Sequence, residues 1–220
     1  MIEGHPGYGK TTLARNIARD WGTKKDYMQE FKVVIFICCR DLEGRSLDQY
    51  VQESFPKIEN FGEGVKLKNW KNNYKEMLFI LDGLDECKDV DIATINKLLE
   101  CHDYLGSSIL ATTRPLTEDT GIKRNLFTKT VSIKGFNQHQ IERIIDEHFI
   151  DRKGLGDMMK ETLFSGNNAY KHLLSCPLLC QLFCFLFAKD QKFPEKVTGV
   201  YYRLIQWLIR YKSVALKTLN

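Results

Sequence analysis

The chain has 220 residues, 43% of them hydrophobic and 27% charged, which is enough to build one sizeable domain or two small ones. Its net charge of +4 is too small to indicate a nucleic-acid surface, and the lysines between residues 66 and 75 are interpreted as a solvated face rather than a binding patch. No apolar stretch is long enough to span a bilayer and no secretory signal precedes the first motif, so we expect a cytoplasmic protein with no membrane or nucleic-acid partner.

The first predicted element is a phosphate-binding loop. The pattern G-x-x-x-x-G-K-S/T is met by Gly4-His5-Pro6-Gly7-Tyr8-Gly9-Lys10-Thr11. Its glycines allow a tight turn whose N–H groups point at an anion, Lys10 adds a charge near the outer phosphates, and the hydroxyl of Thr11 can coordinate Mg²⁺. A helix should start at Thr11 or Thr12, with its positive end facing the same phosphates. The alternative is a glycine-rich turn that binds nothing.

Alternating helices and strands follow the loop and predict an α/β fold, a parallel sheet with helices on both faces. Continuous apolar runs at residues 33–38 and 77–81 predict strands that are buried on both faces. The other elements predicted in this part are helices at 11–22, 47–55 and 93–102, a loop and a helix within 60–75, a strand at 108–112 and a weak edge strand at 131–133.

Three carboxylates follow the strand at residues 77–81. Asp82 stands at its carboxyl end, where a P-loop enzyme places the acid that helps to hold magnesium. Asp85 and Glu86 come next, in a position to orient or deprotonate a water molecule. Alone, this pattern also fits a solvated loop. Together with the phosphate-binding loop, it predicts a magnesium-nucleotide site.

An arginine follows the next strand, within the run Thr112-Thr113-Arg114-Pro115. This strand should lie beside the strand at residues 77–81. Arg114 then stands where a guanidinium group can contact the terminal phosphate with two hydrogen bonds. The alternative is a strand-end arginine in a surface salt bridge.

Only helices are predicted after Gly135, at residues 137–149, 157–164, 170–174, 177–188 and 198–216. We therefore divide the chain into a nucleotide-binding domain, residues 1–134, and a small all-helical domain, residues 135–220. Pro177 opens one of these helices, and its ring either packs on an adenine face or only starts the helix.

The seven cysteines are interpreted as small buried side chains. His172, Cys176, Cys180 and Cys184 repeat every four residues. On a helix this spacing drifts by about 40° and climbs by about 6 Å at each step, so one adjacent pair could share a metal ion but all four could not.

These motifs, in this order, resemble the NACHT nucleotide-binding module of NOD-like receptors, within the STAND class of P-loop NTPases. The matched segments are 4–12, Cys39-Arg40-Asp41-Leu42, Asp82-Gly83-Leu84-Asp85-Glu86, Thr112-Thr113-Arg114-Pro115, Ile133-Lys134-Gly135-Phe136, Cys176-Pro177-Leu178-Leu179 and 198–202. Motor ATPases carry an acid directly after the magnesium aspartate. Because Gly83 stands there in this chain, the acid role would move to Asp85 or Glu86.

The resemblance implies that the chain binds ATP or ADP with Mg²⁺. The residues it assigns to phosphate are Gly7, Gly9, Lys10, Thr11 and Thr12. Thr11 and Asp82 would hold the metal, Arg114 would sense the γ-phosphate, and Pro177 would contact adenine. Tyr8 is bulkier than the small residue expected at its position.

The function implied by the resemblance is a molecular switch in innate immune or cell-death signalling. ADP would keep the two domains closed, ATP would let them rotate and self-assemble, and slow magnesium-dependent hydrolysis would reset the switch. The implied partners are other copies of the receptor and an effector adaptor bound through domains outside this chain.

Two other functions fit parts of the same pattern: a catalytic P-loop ATPase, either a motor or a phosphotransferase, and an interaction module with a decayed site. The intact Lys10, Thr11, Asp82, Glu86 and Arg114 argue against the decayed site. Only three residues precede the loop, so we also expect a fragment that lacks the central strand of its sheet and folds poorly.

Overall fold

The computed structural model describes residues 1–54, 74–101, 104–115, 121–165, 170–194 and 196–217. The chain forms two compact units, Met1–Ile133 and Lys134–Asn220. The predicted fold class, a parallel α/β sheet followed by helices, is confirmed. Most of the segment predicted at residues 60–75 lies outside the described residues.

The first unit contains a sheet of five parallel strands in the order β2-β3-β4-β1-β5. The strands are β1 (Ile2–Glu3), β2 (Val33–Cys38), β3 (Met77–Asp82), β4 (Ser108–Thr113) and β5 (Val131–Ser132). In this register Cys38 lies beside Asp82. Because the strands are parallel, the residues that follow β1 to β4 collect at one edge of the sheet, where ligands bind in open α/β sheets.

Strand β1 has only two residues, yet it occupies an interior position of the sheet, between β4 and β5. Ile2 pairs with Thr112 of β4 on one side and with Val131 of β5 on the other. The Ile133 N–H donates to the Glu3 carbonyl at 2.7 Å. The expectation that the central strand is missing is therefore corrected, because the first residues of the chain pair with both neighbours. Poor folding of the chain stays a prediction.

Helices cover both faces of the sheet. On one face, α1 (Lys10–Gly22) places Ala14 against Leu78 and Ile80 of β3. On the other face, α2 (Leu47–Ser54) and α3 (Asp89–Leu99) share a core with the alternate residues of β3. Every residue of β3 is buried as a result, which explains its unbroken apolar sequence.

The second unit is a set of helices around its own core. They are α4 (Gln138–His148), α5 (Lys153–Phe164), α6 (Lys171–Leu174), α7 (Pro177–Asp190) and α8 (Val197–Lys217). Phe149, Phe183 and Phe187 are fully buried in this core. Cys180 and Cys184 are also buried there, as predicted. Within the described part of the chain, no helix combines the length and the apolar character needed to cross a membrane.

A capping box begins α4. The side chain of Asn137 accepts from the backbone N–H of Gln140 at 3.0 Å, and the Asn137 N–H donates to the Gln140 side chain at 2.9 Å. We expect Asn137→Ala to lower the free energy of unfolding by about 1 kcal/mol, because the cap is lost. Urea unfolding followed by circular dichroism measures this. Asn137→Ser is the control, and an alanine variant as stable as its parent would contradict the role of the cap.

Candidate functional site

The predicted site residues of the first unit meet at the carboxyl edge of the sheet. The loop at residues 4–9 connects β1 to α1, and Asp82 ends β3. Asp85 and Glu86 lie in a 3-10 turn, Leu84–Glu86, that follows β3. Arg114 directly follows β4. The strand order therefore brings four chain segments together that are far apart in the sequence.

The loop has the backbone geometry that phosphate binding needs. Gly7 and Gly9 have φ angles of 78° and 86°, in the left-handed region where a side chain would be strained. The N–H of Gly4 donates to the carbonyl of Thr113 at 3.1 Å, which ties the start of the loop to β4. The loop then runs into α1, whose first N–H groups have no acceptors within the helix and suit an anion.

Two of the larger side chains of the loop, His5 and Tyr8, contact each other. The Tyr8 ring packs edge-on against the His5 ring, with 5.5 Å between the centroids. The Tyr8 side chain is thus accommodated beside His5, and Gly7 and Gly9 on either side of it have the positive φ angles of the loop. Pro6 and Thr12 are exposed.

Lys10 folds back over the loop. Its Nζ donates to the carbonyls of Gly4 at 2.7 Å and His5 at 3.2 Å. Burial is the main cause that lowers the Lys10 pKa, and the nearby Asp85 carboxylate opposes this effect. Two carbonyl oxygens thus take the place of part of the water around the Lys10 ammonium group. They lie where phosphate oxygens would be bound.

Two oxygen groups suited to magnesium lie next to each other. The hydroxyl of Thr11 donates to Oδ1 of Asp82 at 3.2 Å, and the Asp82 residue is only 7% exposed. Mg²⁺ prefers oxygen ligands and commonly binds one or two carboxylates together with the phosphates of its nucleotide. Thr11 and Asp82 therefore fit the ion predicted for them.

The two candidate catalytic carboxylates both face Arg114. Its backbone N–H donates to Oδ1 of Asp85 at 2.8 Å, and its Nε lies 3.0 Å from Oδ2. The Arg114 Nη2 also lies 3.6 Å from Oε1 of Glu86. The arrangement in this structure is thus the ion pair that sequence analysis held as the alternative for Arg114. Its side chain is 51% exposed, which leaves it free to exchange partners.

Two residues of the site were given no role by sequence analysis. Arg40 lies in a 3-10 turn after β2 and places its Nη1 3.7 Å from Oε2 of Glu86. Thr112 is fully buried, and its hydroxyl donates to Oδ1 of Asp82 at 2.7 Å. The sequence feature that could have identified both residues is their position at the carboxyl end of a predicted parallel strand.

Pro177 lies in the second unit, at the first position of α7, and is partly buried. This confirms that it starts a helix. Its predicted contact with adenine stays a prediction.

Comparison with known proteins identifies a family. The family model described as "NACHT domain" matches residues 1–152. Among curated proteins, NACHT, LRR and PYD domains-containing protein 1a of Mus musculus is 30% identical over 87% of this chain. NLR family CARD domain-containing protein 4 of Xenopus tropicalis is 25% identical over all of it. The chain spans only 17% and 22% of the lengths of these two proteins.

Solved structures give weaker likenesses. AMPPCP-bound DnaA from Aquifex aeolicus has a TM-score of 0.49 and 17% identity, over 86% of this chain and 55% of DnaA. RuvB of Thermotoga maritima has a TM-score of 0.46 and 12% identity, over 94% of this chain and 60% of RuvB.

Proposed function

Because the chain belongs to the NACHT domain family, we propose that it is an ATP- and ADP-binding switch of a NOD-like receptor, reset by slow magnesium-dependent hydrolysis. The observation that carries the proposal is the pairing of Arg114 with Asp85 beside a complete phosphate-binding loop. In this arrangement, the group that would read the γ-phosphate already has a competing partner.

Binding begins at the loop. The phosphates replace the carbonyls of Gly4 and His5 as partners of the Lys10 ammonium group. The N–H groups of the loop and of the first turn of α1 surround the same oxygens. Neither change requires the sheet to move, since the loop is already tied to β4 through Gly4 and Thr113.

The magnesium ion would be held by the hydroxyl of Thr11 and the carboxylate of Asp82. When bound, it supplies positive charge beside the outer phosphates of the nucleotide. Asp82 lies at the end of a fully buried strand, so its backbone position is fixed before the ion arrives.

The switch itself is the exchange of partners by Arg114. With ADP there is no γ-phosphate, and Arg114 keeps its ion pair with Asp85. With ATP the γ-phosphate competes for the same guanidinium, because charged hydrogen bonds to phosphate are strong and often bidentate. Transfer of the Arg114 guanidinium frees Oδ2 of Asp85 and Oε1 of Glu86, while the Arg114 backbone N–H keeps Oδ1 of Asp85. The presence of one phosphate therefore changes side-chain contacts at the ends of both β3 and β4.

Hydrolysis is assigned to Glu86 in this scheme. Arg114 engages both oxygens of Asp85, through its backbone N–H and its Nε, so the geometry suits Asp85 to holding the arginine. Glu86 has a half-exposed side chain, and among the described residues its ion pairs are longer, at 3.6 and 3.7 Å. It is therefore the carboxylate better able to turn towards a water molecule. Slow turnover follows if Arg114 must leave before Glu86 can act.

The remaining parts of the proposal concern the whole receptor. We infer a cytoplasmic protein that self-assembles in its ATP form and signals through an effector adaptor. Support comes from the names of two relatives: one lists NACHT, LRR and PYD domains, and the other is an NLR family protein with a CARD domain. Innate immune signalling is proposed on the same basis.

Nucleotide retention tests the switch directly. The protein is loaded with a fluorescent ADP analogue, and release is compared with steady-state ATP turnover. We expect slow release and a turnover well below the rate of about 1 s⁻¹ that marks the low end of ordinary enzymes. Fast release with continuous turnover would instead favour a catalytic P-loop ATPase. Failure to bind either nucleotide would overturn the proposal.

Arg114→Ala should reduce the preference for ATP over ADP. We expect ATP affinity to fall by about tenfold or more with ADP affinity unchanged, as for the loss of a single hydrogen bond to a charged group. Calorimetric titration with each nucleotide measures the ratio. Arg143→Ala, which removes an exposed arginine of α4 that pairs with Glu147, is the control. Equal losses for ATP and ADP would show that Arg114 does not distinguish them.

A further inference from the structure

The buried Thr112 hydroxyl has a hydrogen-bond direction that the backbone fixes. The Gly83 N–H donates to Thr112 Oγ1 at 3.0 Å, and this N–H can only be a donor. The single hydroxyl hydrogen of Thr112 is therefore available for Asp82, and Oγ1 lies 2.7 Å from Asp82 Oδ1. The two contacts form one chain, from a backbone amide through a buried hydroxyl to the carboxylate.

This chain of hydrogen bonds restrains the carboxylate of Asp82. Oδ1 accepts from Thr112 and, more weakly at 3.2 Å, from Thr11. Within the described residues, Oδ2 accepts no hydrogen bond. Rotation of the carboxylate would break the 2.7 Å bond in a site that is almost closed to water, where an unpaired polar group is costly.

Thr112 also differs from Thr11 in its position in the fold. Thr11 belongs to α1 and is exposed, so its hydroxyl is part of the nucleotide-binding surface. Thr112 belongs to β4, is fully buried, and stands two residues before Arg114. It can therefore hold Asp82 in the same orientation whether or not a nucleotide is present.

We propose that Thr112 is a positioning residue that orients the Asp82 carboxylate for the magnesium ion of the nucleotide. The inference rests on the proposed nucleotide-binding function. It goes beyond a purely stabilising role for Thr112, for which the hydrogen bond from the Gly83 N–H would be sufficient. The distinguishing property is the magnesium dependence of binding, because a merely structural hydroxyl would affect binding equally with and without the ion.

The test measures ATP affinity in excess Mg²⁺ and in EDTA. Thr112→Val keeps the shape and the branched Cβ but removes the hydroxyl. We expect it to reduce the enhancement of affinity by Mg²⁺ about tenfold, in the range typical for residues that orient a metal ligand. Affinity in EDTA should stay at the parent value. Thr112→Ser restores the hydroxyl and should restore the enhancement.

Tyr50→Phe is the matched control. The Tyr50 hydroxyl accepts from the backbone N–H of Cys38 at 3.3 Å, so this variant also removes an acceptor for a strand-end amide. This hydrogen bond joins Tyr50 to Cys38 and not to Thr11, Asp82 or Thr112, so the variant should keep the full enhancement. If Thr112→Val does not fold, Thr112→Cys takes its place, because a thiol is a poorer donor of similar size.

The outcomes separate the inference from the proposed function. Normal magnesium enhancement in a folded Thr112→Val or Thr112→Cys variant overturns the role of Thr112 and leaves the switch intact. Failure of Thr112→Ser to restore the enhancement overturns it as well. Absence of ATP binding by the parent chain, with or without Mg²⁺, overturns both.

Discussion

Replacing Lys10 with alanine is expected to weaken ATP and ADP binding at least tenfold, equivalent to about 1.4 kcal/mol. The Lys10 ammonium group lies against the carbonyls of Gly4 and His5, within the loop that would hold the phosphates. Its removal takes away the one positive side chain of the loop. Titration calorimetry in Mg²⁺ buffer measures the change.

Thermal unfolding gives a second measurement of nucleotide binding by the Lys10 variant. A ligand that binds only the folded state stabilises it by about 2.7 kcal/mol at a hundredfold excess over its dissociation constant. The parent chain should show this shift with ADP, and Lys10→Ala should lose most of it. Lys97→Ala, which removes an exposed lysine from α3, is the control. Unchanged affinity in Lys10→Ala would refute the assignment of the loop.

The largest effect is expected at Glu86. Glu86→Gln should slow ATP hydrolysis on the order of 100-fold, the lower range for loss of a general base, because an amide cannot take a proton. ATP binding should persist, since the phosphate-binding loop is unchanged. A single-turnover assay with radiolabelled ATP separates the two effects, and the variant should accumulate in its ATP-bound form.

Asp85→Asn distinguishes the two neighbouring carboxylates. Asp85 holds Arg114 in the present structure, so this variant should shift the preference towards ATP by freeing the arginine. Hydrolysis should fall less than in Glu86→Gln. If Asp85→Asn alone abolished hydrolysis, the base would be Asp85. Parent rates in both variants would assign the role to another group.

The sequence by itself determined the elements whose signals are local. The loop at residues 4–11 depends on glycines that tolerate positive φ angles and on a helix that follows at once, and all of this lies within a few residues. Strand β3 was predicted from its unbroken apolar run, because a strand covered on both faces needs apolar residues at every position. The order of the motifs along the chain, which is also read directly from the sequence, indicated the family.

Only the tertiary structure decided which residues meet. The interior position of the two-residue strand β1 depends on pairing with both β4 and β5, which no local pattern records. The ion pair of Arg114 with Asp85 and the bond from Thr112 to Asp82 join residues 29 and 30 positions apart. Such contacts form because β3 and β4 are neighbours in the sheet, which brings the residues at their carboxyl ends together. The strand order is set by the packing of the whole unit. The sequence therefore placed Asp82, Asp85 and Arg114 at the carboxyl ends of strands, but it did not show which side chains they contact.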